Sequence, residues 1–180
     1  MERFAKRVIQ ALNESPIDYV IIGGFVAIIY GRPRTTMDID VILNFKENNM
    51  AEIQGFVNVL QQYDLDAHQK DILLALKEKS HFSIFDKSSP WRIDGKGVYT
   101  RFDAITLSNR RQLKILGLSA WVESPEDLVI AKLIYGSQQD IEDAVAVLLN
   151  LKRQLNMDYL EKRAIEENIA DILHKILSKI

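Results

Sequence analysis

Asp38 and Asp40 stand one residue apart in an apolar run formed by Ile39, Val41, Ile42 and Leu43. In a strand, alternate side chains leave the same face, so the two carboxylates share one surface with Cα atoms roughly 6.5 to 7 Å apart. Two carboxylates brought to about 4 Å repel by on the order of 4 kcal/mol at an effective dielectric near 20, a penalty that a divalent cation removes. The chain has no cysteine, and His68, His81 and His174 lack any metal-ligand spacing. Oxygen ligands therefore point to a hard cation, Mg²⁺ or Mn²⁺, of the kind held by carboxylates and substrate phosphates in phosphoryl transfer. Upstream, Gly23-Gly24 follows the β-branched run Tyr19-Val20-Ile21-Ile22. Glycines at a strand-to-helix turn let backbone N–H groups approach an anion at a helix N-terminus. Alone, the pair is as readily an ordinary tight turn, and Asp-x-Asp alone is often a polar strand end. Together they form a phosphate-suited turn, an Arg/Thr-rich loop and two same-face acids.

The surrounding patterns say what must position these groups. Phe4, Val8, Ile9 and Leu12 predict a first helix, residues 19–22 a buried strand, 25–30 a short helix and 31–36 an exposed loop. Residues 38–43 read as a second strand. Apolar spacing predicts helices from about 48 to 63 and from about 66 to 79, and residues 81–85 and 91–98 read as a hairpin around Asp86–Pro90. The stretch 101–116 gives no clear pattern, and Ala120-Trp121-Val122 reads as a last short strand. Ser124-Pro125-Glu126-Asp127 is a helix start, with a capping serine, proline at the first helical position and an acid three residues after the cap. Helices are expected over 125–135, 138–153 and 157–178. The fold class is thus α+β, a short mixed sheet flanked by helices, with a core over 1–123 and a C-terminal helical subdomain over 124–180.

At 180 residues the chain suits one compact unit, and 47% apolar with 27% charged residues is ordinary globular composition. A net charge of −2 argues against a general phosphate-neutralising surface, and the missing cysteines exclude disulfides and thiolate chemistry. No apolar run reaches the roughly 20 residues of a membrane span, so a cytoplasmic location is expected. Base rates favour a homodimer.

The segment Ile22-Gly23-Gly24-Phe25-Val26-Ala27, followed by Gly31-Arg32-Pro33-Arg34-Thr35-Thr36-Met37-Asp38-Ile39-Asp40, resembles the signature of the DNA polymerase β-like nucleotidyltransferase superfamily. It is similar to a minimal prokaryotic branch that includes the nucleotidyltransferase-type toxins of abortive-infection systems. Trp121 to Leu133, with Asp140-Ile141-Glu142-Asp143, is similar to that branch's C-terminal helices, so the resemblance spans residues 17 to 150 or so. It implies the nucleotidyltransferase fold, an NTP substrate and a Mg²⁺ or Mn²⁺ cofactor. The superfamily's third carboxylate matches Asp94, on the second hairpin strand, with Asp103 as the alternative. By resemblance, Asp38, Asp40 and Asp94 are catalytic metal ligands, and Gly23 and Gly24 donate backbone N–H groups to phosphates. Arg34, Thr36 and Lys132 are candidate nucleotide contacts, against the alternatives of a solvated loop and a snorkelling lysine. Asp140 and Asp143 read as helix-surface or cap acids. The implied reaction moves an NMP from an NTP to an acceptor hydroxyl of RNA, protein or a small molecule. The alternative is a non-catalytic partner-binding protein of the same fold, as in a toxin–antitoxin pair.

Overall fold

The computed structural model describes residues 1–46 and 49–180. Its elements run α1 (Glu2–Glu14), β1 (Asp18–Ile22), α2 (Gly23–Ile29), β2 (Asp38–Asn44), α3 (Met50–Gln62), β3 (Leu65–Asp66), α4 (Gln69–Glu78), β4 (His81–Asp86), β5 (Arg92–Gly97), α5 (Arg101–Ser108), β6 (Arg111–Ile115), β7 (Leu118–Val122), α6 (Pro125–Tyr135), α7 (Gln138–Leu151), α8 (Met157–Glu166) and α9 (Ala170–Leu177). The strands form one mixed sheet in the order β3-β4-β5-β2-β1-β7-β6. Pairing of β2 is antiparallel to β1 and parallel to β5, and β1 runs parallel to β7.

The central strands keep their period-two alternation. Ile39, Val41 and Leu43 of β2 and Ile93 of β5 join the main core, together with Phe4, Val8 and Leu12 of α1 and Phe56 and Leu60 of α3. The opposite face carries Asp38 and Asp40 on β2, in register with Arg92 and Asp94 on β5. Farther along that face, a smaller cluster packs Val20 and Ile42 against Leu107 of α5. One side of the sheet is therefore a hydrophobic floor, and the other carries the polar residues.

One open stretch is resolved and two expectations are corrected in detail. Residues 101–116 form α5 and then β6. Thr100 caps α5 in a capping box with Asp103, the signal that opens this helix. The helix expected over 157–178 is broken between α8 and α9, where Asn168 adopts φ 60°. The N–H of Ile169 bonds the carbonyl of Ala164 at 2.9 Å, and that of Asn168 bonds Ile165 at 3.1 Å, the paired bonds of a Schellman ending. The second helix expected from about residue 66 starts at Gln69, because Leu65–Asp66 pairs with β4 as β3. Residue 48, taken as the start of the preceding helix, lies outside the described residues.

Helix α6 begins at the predicted Ser124 cap, whose hydroxyl accepts from the Asp127 N–H at 3.1 Å. It is buried almost all round, with Leu128, Val129, Ile130 and Leu133 in the same core as the sheet. Among the described residues, no helix is long and apolar enough to cross a membrane.

Candidate active site

The site starts at the end of β1, where Ile22 pairs with Asp40. Gly23 turns the chain into α2 with φ +74°, and a Cβ there would overlap the carboxylate of Asp40. At Gly24 a Cβ would lie 2.8 Å from the Arg34 guanidinium. Gly23 is thus required by its left-handed backbone beside the acid it admits, whereas Gly24 lies against the flexible end of an arginine.

Asp38, Asp40 and Asp94 share one sheet face because Asp40 is the register partner of Asp94 and Asp38 that of Arg92. Thr36 donates its hydroxyl to Asp38 at 2.5 Å, and Ser83 donates to Asp94 at 2.6 Å. Arg92 lies across both acids, with Nη2 3.1 Å from Asp38 and Nε 2.8 Å from Asp94. Among the described residues, Asp40 has no such direct cation. Burial first, then the charges of Asp38 and Asp94, push its carboxyl up to about 6 against the pull of Lys132 and the Gly24 N–H.

This donor set suits a hard divalent cation chemically: all oxygen, on one face, with one carboxylate, Asp40, in no direct ion pair among the described residues. Among the described residues no three His, Asp or Glu side chains are drawn close enough to form a metal-holding group. Arg92 supplies the positive charge to Asp38 and Asp94.

Opposite the acids stand the cations predicted to meet phosphate. Lys132 Nζ is 2.7 Å from Asp140 and 3.0 Å from Asp143, and Arg34 Nη1 is 2.7 Å from Asp143. Burial would lower the Lys132 pKa, but the hydrogen bonds and charges of these two acids hold it above its ordinary value. Asp140 is also the capping-box acid of α7, in keeping with its sequence reading. Asp143 is not a surface acid: it is fully buried and ties Arg32, Arg34 and Lys132 together. Its signal in the sequence is the three-residue spacing from Asp140, which sets both acids on one helical face.

The Gly-Gly turn differs from the simple cradle expected. The Gly23 N–H donates to Glu123 at 2.5 Å, and the Gly24 N–H faces Asp40 and pulls its carboxyl down. The first of these donors is therefore committed to one of the protein's own carboxylates. Glu123 was missed in the sequence; it is 2% exposed, and burial above all raises its carboxyl well above the ordinary glutamate range. Asp103, the alternative third acid, is a cap: it accepts from the Tyr99 and Thr100 N–H groups at 3.0 Å each and pairs with Lys96 at 2.8 Å. Burial alone would raise its pKa, and those bonds hold it below the usual carboxylate value.

A cavity of about 400 Å³ gathers Gly23, Gly24, Arg34, Asp38, Asp40, Asp94 and Lys132 on its walls. Thr36 stands behind it, buried, holding Asp38. His81, read as structural or exposed, is at the cavity's edge.

Sheet, helices and acid-lined cavity together define the class as a protein of nucleotidyltransferase fold. Residues 107–178 match the model of a family described as "Nucleotidyltransferase of unknown function (DUF6036)". The crystal structure of ANT(2'')-Ia in complex with adenylyl-2''-tobramycin aligns over 92% of this chain and 95% of its own at 10% identity, with a TM-score of 0.59. The solution structure of the antibiotic-resistance factor ANT(2'')-Ia aligns over 97% of this chain and 98% of its own at 14% identity, with a TM-score of 0.55. An antigenic nucleotidyltransferase-like protein from Paracoccidioides brasiliensis aligns over 98% and 90% at 16% identity, with a TM-score of 0.54. A search of curated proteins found no match. At these identities the structural likeness establishes the fold.

Proposed function

We propose that the protein is a metal-dependent nucleotidyltransferase that moves an NMP from an NTP to an acceptor hydroxyl and releases pyrophosphate. The observation that carries this reading is the parallel register of β2 and β5. It sets Asp94 beside Asp40 and on the face of Asp38, across one cavity from Arg34 and Lys132.

Asp38, Asp40 and Asp94 are the residues that would hold Mg²⁺ or Mn²⁺, which supplies neutralisation of phosphate charge and acidification of the acceptor hydroxyl. Arg34 and Lys132 bind the phosphate oxygens, pre-aimed by Asp143 and Asp140. Arg92 balances Asp38 and Asp94, and Thr36 fixes the rotamer of Asp38. The acceptor oxygen bonds to the α-phosphorus as the bond from that phosphorus to the bridging oxygen breaks. The electron pair leaves with pyrophosphate, and the acceptor's proton passes to the carboxylate side of the site or to water. Because the ANT(2'')-Ia complex holds an adenylylated tobramycin, small-molecule hydroxyls belong among the acceptors to try beside RNA and protein.

The test is incubation with each labelled NTP and Mg²⁺ or Mn²⁺, with cell extract as acceptor source, comparing the natural chain with the Asp38→Asn/Asp40→Asn double variant. Label should move to an acceptor only with the natural chain. Equal labelling by both, or none with either metal, overturns the reading.

A further inference from the structure

A second hollow, about 460 Å³, opens beside the acid-lined cavity and shares Lys96, Phe102, Asp103, Ala131 and Tyr135 with it. Its chemistry differs. Phe102, at the start of α5, is half-buried and backed by the Arg163 guanidinium, 5.0 Å from the ring centroid. Tyr135, the last residue of α6, is 75% exposed at the rim common to both hollows, where Gly136 ends the helix in the left-handed region. A single exposed aromatic needs no explanation by itself. Two rings on the wall of a hollow that continues a polyanion-suited site make a place for a flat ligand, because stacking accepts any aromatic face.

The far wall adds a means of selection. Glu166 and Glu167 line the hollow at the end of α8. Arg163 Nη1 lies 3.0 Å from one oxygen of Glu166 and 3.1 Å from one of Glu167, and Arg101, also on the wall of the hollow, approaches that same Glu166 oxygen at 3.6 Å. Arg163 is 2% exposed, and its position is fixed by packing under Phe102 and beside Asp127. The second oxygen of each glutamate has no protein hydrogen bond among the described residues. Ionised carboxylates only accept, so a ligand edge facing them must donate N–H groups.

We propose that this hollow is the nucleobase subsite of the nucleotide held in the acid-lined cavity, with Phe102 and Tyr135 as stacking surfaces and Glu166 and Glu167 as readers of the base edge. The inference rests on the reading above that the cavity binds an NTP. Guanine presents an imino and an amino N–H side by side and fits such acceptors best. Adenine and cytosine set a ring acceptor beside the amino group, and uracil flanks its single N–H with two carbonyls. These acceptors would face the carboxylates and be repelled. Guanine is therefore favoured, adenine and cytosine are intermediate, and uracil is disfavoured.

The experiment measures dissociation constants of the full chain, by thermal shift and titration with Mg²⁺ present, for GTP, ATP, CTP, UTP and inorganic tripolyphosphate as the base-free probe. GTP should bind about tenfold or more tighter than UTP and tripolyphosphate. Glu167→Gln should erase most of the preference for GTP over UTP, and Tyr135→Ala should weaken all four NTPs; both should leave tripolyphosphate binding in place. Tyr135 is exposed, so its replacement keeps the fold. If all four NTPs bind no better than tripolyphosphate, or if both variants leave the NTP affinities untouched, the subsite assignment is overturned while the phosphate site stands. Preference for UTP overturns the base-edge reading. Absence of binding by NTPs and tripolyphosphate alike overturns both this inference and the nucleotide reading beneath it.

Discussion

Asp40 is ionised against its surroundings at neutral pH, and this has a measurable signature. Its carboxyl titrates at about 6 in the folded chain, chiefly through burial and then through Asp38 and Asp94, against an ordinary value of 3.8. A folded pKa above the unfolded one means that the native state holds the proton longer, so the group's contribution to stability falls as pH rises from about 4 to about 6. Two pKa units correspond to at most about 3 kcal/mol, and partial solvation reduces this. Asp40→Asn should therefore stabilise the protein by about 1–2 kcal/mol at pH 8 and make no difference near pH 4, while abolishing nucleotide transfer. Urea melts at both pH values check this; a variant less stable than the natural chain at pH 8 contradicts it. The signs of this imbalance are partly readable from the sequence, since two same-face acids must repel. The committed N–H of Gly23 is not readable, because its partner Glu123 sits a hundred residues away.

The turn between β1 and α2 works as an element whose two glycines are not equivalent. Gly23 combines φ +74° with contact against the Asp40 carboxylate, whereas Gly24 faces only the mobile end of Arg34. Gly23→Ala should lose about 2 kcal/mol or more of stability, and Gly24→Ala should lose less than half as much while weakening NTP binding by moving Arg34. Thermal melts with and without GTP separate the two, and equal destabilisation would contradict the assignment. The start of α5 gives a similar contrast. Asp103 closes a capping box, so Asp103→Ala should cost about 1–2 kcal/mol through the lost cap, whereas Asp94→Asn should leave the melt close to that of the natural chain and remove transfer. A stable, inactive Asp103 variant beside an active Asp94 variant would reverse the two roles. The Thr-x-x-Asp pattern at 100–103 was available in the sequence as a cap signal. Without it, residues 101–116 could not be resolved into α5 and β6.

The main core of the molecule runs unbroken from α1 through the sheet to Leu160, Ala164 and Leu173 of the C-terminal helices. Unfolding should accordingly be a single cooperative transition across the expected junction at 123–124. An NTP with Mg²⁺ at a hundred times its dissociation constant should add about 2.7 kcal/mol, a shift of several degrees. Calorimetry with and without ligand checks both statements: two separate transitions, or no shift at millimolar NTP, would contradict them. Taken alone, the sequence determined the features that depend on neighbours along the chain. Strand periodicity puts Asp38 and Asp40 on one face, the glycine pair ends a buried strand, and Ser124-Pro125 starts α6. Only the tertiary structure decided the features that depend on distant segments. The register of β2 against β5 sets Asp94 rather than Asp103 beside Asp40; the fold buries Asp143 beneath Arg34 and Lys132 and opens the hollow between α5, α6 and α8. The physical reason is that alternation and capping are fixed within a few residues. Which charges meet is set by how the hydrophobic faces of the sheet and helices pack, and no local pattern encodes that.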